Sequence, residues 1–180
     1  MQRTRRSLIA CCLLLLCAAC ARNEPPVASN TPASNTPPLA PTERPTPEHI
    51  VTASADAVAL KAGASADAQV HLRIAEGYHI NANPASFSYL RATKVEVAAA
   101  QGITVEKVDY PAPVTRQFRF EKQPLKVYER EATIVVRLHA AANAPKGAQG
   151  LRAQVEVQAC DEEKCFPPTT IATDISVTIN

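Results

Sequence analysis

The sequence contains no tryptophan, and aromatic residues make up only 4% of its 180 positions. So sparse a set of rings argues against a stacking platform for single-stranded nucleic acid. Net positive charge is small as well. The formal net charge is +2, and subtracting Arg3, Arg5 and Arg6 at the N-terminus leaves −1. That is too little for the electrostatic footprint of a nucleic-acid binder. Glycine occurs only five times, and neither a glycine-rich phosphate loop nor a Cys-x-x-Cys motif is present. No cofactor is expected from these residues. What the chain does hold in quantity is proline, fifteen residues, and cysteine, six, both very unevenly distributed.

The three arginines precede an apolar run from Leu8 to Ala21. At about fourteen residues it falls short of the roughly 20 that a spanning helix needs, and reads as the core of a secretory signal over residues 1–19. It ends Leu16-Cys17-Ala18-Ala19-Cys20, which resembles the bacterial lipobox, although the usual leucine three before the acylated cysteine is here Cys17. Cys20 is therefore the expected lipidation site, with cleavage by an ordinary signal peptidase after Ala21 as the alternative. Ala21 is not the aspartate that favours inner-membrane retention, so the expected location is the periplasm, anchored by the N-terminal lipid to the outer membrane. Cys11, Cys12 and Cys17 leave with the signal. The exported part keeps Cys160 and Cys165, in a compartment where disulfides persist.

Residues 20–48 read as a tether. From Ala21 to Glu48 there are eight of the fifteen prolines among Ser, Thr, Asn and Ala, without a single aromatic or glycine. Such a segment buries too little apolar surface to offset its ordering entropy. It spans roughly 30 Å as a coil, or about 85 Å if held extended.

Residues 49–180 then change to period two. Ala68, Val70, Leu72 and Ile74 alternate with Gln69, His71 and Arg73, and comparable alternation recurs around Val95, along Ala132–Leu138, along Leu151–Ala159 and along Ile171–Ile179. This is the pattern of strands with one face buried and one wet. Gly63, Gly77, Asn83-Pro84, Pro111-Ala112-Pro113, Pro145-Lys146-Gly147 and Pro167-Pro168 punctuate it. Seven or eight short strands with no helical stretch predict an all-β antiparallel sandwich.

The main chemical signal is Gln158-Ala159-Cys160-Asp161-Glu162-Glu163-Lys164-Cys165-Phe166-Pro167-Pro168. Four polar residues between the cysteines suit a hairpin loop that brings the sulfurs within bonding distance. By parity Cys160 shares the wet face of Arg152, Gln154, Glu156 and Gln158. Three readings compete. One is a structural staple, which for a six-residue ring is worth only about 2 kcal/mol. Another is a redox-active pair open to thiol–disulfide exchange. The third is a metal site completed by a histidine such as His79 or His139, with no second ligand pair in sight. Asp161, Glu162 and Glu163 disfavour a thiolate, Lys164 favours one, and no histidine adjoins the pair in sequence.

Four segments in order resemble the periplasmic N-terminal domain of the thiol:disulfide interchange protein DsbD. They are Gly77-Tyr78-His79-Ile80-Asn81-Ala82-Asn83-Pro84, Tyr110-Pro111, Tyr128-Glu129, and Gln158-Ala159-Cys160 with Cys165-Phe166-Pro167-Pro168. The resemblance implies an immunoglobulin-like fold for the sandwich, and Cys160 and Cys165 as a pair carrying two electrons. It implies a donor of the thioredoxin-like or membrane DsbD type. The acceptors would be periplasmic disulfide isomerases or the thioredoxin-like proteins of cytochrome c maturation. It further implies a cap loop whose aromatic residue shields the pair, here Phe118 or Phe120, which otherwise read as alternating strand positions. Two departures stand out: the best-known members have five residues between the cysteines rather than four, and their membrane-spanning and thioredoxin-like domains are missing here. Electrons would then come from a separate protein. The alternative of a different class is a non-catalytic immunoglobulin-like binding domain with an inert disulfide.

Overall fold

A computed structural model describes residues 47–98 and 100–180. The expected signal segment, the tether and Cys20, with Cys11, Cys12 and Cys17, lie outside the described residues. A single helical turn, α1 (Pro47–Ile50), leads into twelve strands. These are β1 (Val51–Ala55), β2 (Val58–Leu60), β3 (Ser65–Ile74), β4 (His79–Asn81), β5 (Lys94–Val97) and β6 (Ile103–Asp109). They continue with β7 (Val114–Arg116), β8 (Leu125–Glu129), β9 (Glu131–Ala140), β10 (Gly147–Val157), β11 (Ala159–Cys160) and β12 (Thr169–Ile179). The count exceeds seven or eight because short pieces such as β4, β7 and β11 carry too few residues to show a periodicity of their own.

The strands form three sheets, ordered β1-β3-β9-β6, β2-β12-β10-β5 and β11-β4-β8-β7. All pairings are antiparallel except β2 with β12. The first two sheets are the layers of an immunoglobulin-like β-sandwich. Their inward residues are those whose alternation stands in the sequence. Val70 and Leu72 of β3 lie opposite Ile134 and Ala132 of β9, while Leu151 of β10 lies opposite Ile175 of β12, all of them buried. One apolar cluster draws on both layers, which is where the burial of surface that drives folding is concentrated. Gly102 admits no side chain: its φ is +73°, and a Cβ there would sit 2.8 Å from Ala144 Cβ. Among the described residues, no helix is long and apolar enough to cross a membrane.

The third sheet carries the chemistry. After Val157 the chain breaks for one residue and resumes as β11, now paired with β4 rather than with β12. Gln158 sits at this switch and pins it. Its Oε1 accepts from Asn81 Nδ2 at 3.0 Å and from the Arg91 N–H at 2.9 Å, and its Nε2 donates to the Phe166 carbonyl at 3.3 Å. One side chain thus ties β4, the loop after it and the segment beyond Cys165 to the end of β10.

Candidate functional site

Cys160 and Cys165 are joined by a disulfide, their Cα atoms 3.9 Å apart. The loop between them closes on itself. Asp161 N–H donates to the Lys164 carbonyl at 2.9 Å, and the Asp161 carboxylate accepts from the N–H groups of Glu163 and Lys164, both at 2.8 Å. Asp161 is thus the capping group of a tight turn, a common role for aspartate at such positions. Phe166 N–H returns to the Ala159 carbonyl at 2.8 Å and closes the ladder beyond the cysteines.

The small sheet has two faces. On one, Ile80 of β4 lies between Ala159 of β11 and Tyr128 of β8, and all three join the main core. On the other, His79 lies between Cys160 and Glu129. Cys160 does face away from Ala159 and the core, but in β11 of a separate sheet rather than in the strand of Arg152–Glu156, and the wetness expected for it is not found: the residue is 0% exposed. The correction has a local cause. The non-core face is covered here, because His79 flanks Cys160 and Phe118 lies flat on His79, with ring centroids 3.8 Å apart at 19°. Cys165 is half-buried and is the more accessible of the two residues.

Phe118 and Phe120 do not alternate in a strand, as their plain sequence reading had it. Both lie beyond the end of β7, in a turn that runs back toward β8. Phe118 is 3% exposed and packs with Leu125 and Val127 in a second, smaller apolar cluster that Phe87 and Leu90 border. Phe120 stacks on its outer side at 5.5 Å and is 37% exposed. Gln117 and Glu121 hold the turn's shape, and Tyr89 ties it to the loop after β4 by donating to Glu121. The motif tyrosines accept backbone N–H groups of other segments. Tyr128 OH accepts the Asn83 N–H at 3.1 Å, and Tyr110 OH accepts the Val95 N–H at 3.0 Å. Glu129 takes Arg116 at 2.7 Å. Beside His79 opens a cleft of about 330 Å³, which Arg116, Glu129 and Glu162 also line and neither cysteine does.

His79, which the sequence offered only as a possible third ligand of a metal site, does stand beside Cys160 in the fold. It lies far from the cysteines in the chain, and only the β4–β11 pairing brings it there. His139 is elsewhere, bonded to Ser65 and near Glu106. Among the described residues, no group of three or more His, Cys, Asp or Glu side chains is placed to hold a metal ion.

Burial pushes the His79 pKa down from 6.5 to about 4; the Asp161 carboxylate opposes that shift and the Arg116 guanidinium adds to it. The folded protein thus keeps the imidazole neutral where the unfolded chain would protonate it. Stability from this group is complete above pH 6.5 and is lost as pH falls through 4, about 3 kcal/mol in all. Denaturant titrations between these limits, on wild type and on His79→Phe, check this. The wild type should lose the larger amount of stability on acidification, and parallel losses in the two proteins would refute it.

Residues 46–176 match the family model described as thiol:disulfide interchange protein DsbD, N-terminal. No curated protein matches the chain. Among solved structures, the N-terminal domain of DsbD from Neisseria meningitidis in its reduced form is 21% identical, over 65% of this chain and 82% of that one, with a TM-score of 0.44. The N-terminal periplasmic domain of ScsB from Proteus mirabilis is 12% identical, over 69% of this chain and 44% of that one, with a TM-score of 0.46. This chain therefore spans under half the length of that ScsB chain. The third ScaB cohesin of R. flavefaciens, solved with a dockerin, is 13% identical, over 76% and 99% respectively, with a TM-score of 0.47.

Proposed function

The chain belongs to the family of DsbD N-terminal domains, and on that premise we propose that Cys160 and Cys165 relay two electrons between a separate reductant and oxidised proteins of the periplasm. The pair cycles between dithiol and disulfide through mixed disulfides with thioredoxin-like partners. The donor is thioredoxin-like or a membrane protein of the DsbD type, and the acceptors are of the disulfide-isomerase or cytochrome-maturation kind. The observation that carries this reading is the disulfide itself: it lies in the segment matched to the family, at the edge of the small sheet, with Cys165 half-buried and Cys160 sealed. A ring of six residues is a poor staple, worth about 2 kcal/mol, so stability alone is a weak reason for it.

Phe118 is the cap. Seated on His79 with 3% exposure, it closes the non-core face until a partner displaces it, and Phe120 extends the cap outward. Residues 1–19 serve as the export signal, Cys20 as the lipid anchor at the outer membrane, and residues 20–48 as the leash on which the domain at 49–180 meets partners.

The reduction potential of the couple tests the reading. Equilibrated in graded glutathione or dithiothreitol buffers with free thiols trapped and counted, the pair should titrate roughly between −270 and −120 mV, where exchange-active disulfides lie. A value below about −300 mV is that of an inert structural disulfide and would leave a non-catalytic binding domain as the better reading.

A further inference from the structure

Directly opposite Cys160 across the β4–β11 pair stands His79. Opposed residues on neighbouring strands share a face, with Cβ atoms roughly 4.5–5.5 Å apart, so the imidazole and the Cys160 side chain are neighbours on the non-core face of the small sheet. His79 is 3% exposed, and its Nε2 has no hydrogen-bond partner. A buried ring nitrogen left unpaired costs stability, and such a group calls for an explanation. Packing against Phe118 does not supply one, since a phenylalanine at this position would stack as well.

Granting that the pair exchanges disulfides, we propose that His79 is the acid–base partner of Cys160 in the step that closes the internal disulfide. Cys165, the more accessible cysteine, attacks an oxidised partner first. Its thiolate forms a bond to one partner sulfur, and the other partner sulfur leaves with the electron pair. Cys160 then attacks Cys165 Sγ. The Cys160–Cys165 bond forms, the bond from Cys165 to the partner breaks, and the second partner sulfur leaves as a thiolate. The proton of the Cys160 thiol passes to His79 Nε2 and from there to that leaving thiolate. The domain is oxidised by two electrons and the partner disulfide is reduced to a dithiol. In the reverse direction Cys160 is the leaving group, and the same nitrogen returns its proton.

The surroundings suit this role. Burial keeps the imidazole neutral and also makes it a weak base, so the proton is not held on the ring but is relayed in one motion from the Cys160 thiol to the leaving thiolate. The charged groups around it are Asp161 and Glu162 of the cysteine loop, Arg116 of β7, Glu129 of β8, Arg130 after it, and Glu76 in the turn before β4. The acidic members favour a transient imidazolium, and none of them, with the imidazole between, is the residue opposite Cys160. Without His79, Cys160 would have to ionise beside Asp161, which works against a thiolate.

The test uses the reduced full chain mixed with oxidised glutathione, quenched in acid at intervals, with the Cys160–Cys165 peptide species counted by mass. His79→Phe keeps a ring under Phe118 and removes the proton acceptor. In the wild type the internal disulfide should form without build-up of glutathionylated Cys165. In His79→Phe that mixed disulfide should accumulate at neutral pH and close roughly a hundredfold more slowly, the low end of what positioned proton transfer contributes. The deficit should vanish as pH rises well past the ordinary thiol pKa of about 8.5, where Cys160 ionises unaided. Closure as fast as wild type, or a slowing equal at every pH, would overturn the assignment and leave the exchange reading standing. A wild type that forms neither mixed nor internal disulfide removes both. If His79→Phe does not fold, His79→Gln is read by the same accumulation.

Discussion

Replacing Cys160 with serine is expected to abolish turnover of disulfide exchange while leaving the β-sandwich folded. The sandwich does not depend on the bond: its core runs through residues such as Val70, Leu72, Ile134, Leu151 and Ile175, all buried in the two large sheets. Loss of a six-residue ring removes about 2 kcal/mol, too little to unfold a domain of this size unless it is already marginal. Catalysis, by contrast, loses its second step entirely. Cys165 still meets an oxidised partner, but with no sulfur at position 160 the mixed disulfide has nothing to resolve it, so the variant becomes a trap. Gel-shift detection of a stable adduct, with circular dichroism matching the wild type, is the expected outcome. Undiminished reduction of every thioredoxin-like partner by Cys160→Ser would dispose of the exchange proposal.

Phe118→Ala should open the site. The ring is 3% exposed and lies between the His79 imidazole and a small cluster of Leu125 and Val127, so its burial is what holds the turn after β7 against the small sheet. Removing a buried phenylalanine costs about 3–5 kcal/mol. Most of that loss falls on closing the cap rather than on the sandwich, because the cluster around Phe118 is separate from the main core. If dithiothreitol reaches the disulfide only when the cap lifts, its rate follows the open fraction. A loss of about 3 kcal/mol then accelerates reduction on the order of a hundredfold. Phe120→Ala, at a ring already 37% exposed, serves as the control and should change the rate far less. Equal rates for wild type and Phe118→Ala would mean that the phenylalanine does not gate access.

Much of the architecture is legible in the chain. The period-two runs ending at Ile74, Leu138 and Ile179, and the run Leu151–Ala159 as far as Val157, are the inward faces of β3, β9, β12 and β10, buried where alternation places them except for the half-buried Ile171. The segments that carried the family resemblance also have local reasons. Gln158 anchors the strand switch, and Tyr128 and Tyr110 cap backbone groups of neighbouring segments. The short strands of the third sheet were not legible, since two or three residues hold no period and take their conformation from their partners.

By itself, the sequence determined the class of the fold, the two cysteines left for the described domain, and the face of the strand on which Cys160 sits. These depend on local alternation and spacing, which a chain carries wherever it folds. Tertiary structure alone decided whether that face is wet. A residue's side of a strand follows from its parity, but its exposure follows from whatever else packs there. Here a turn from after β7 brings Phe118 over His79, and β4 brings His79 opposite Cys160. Those contacts join segments distant in the chain, and no pattern within any one of them records the other.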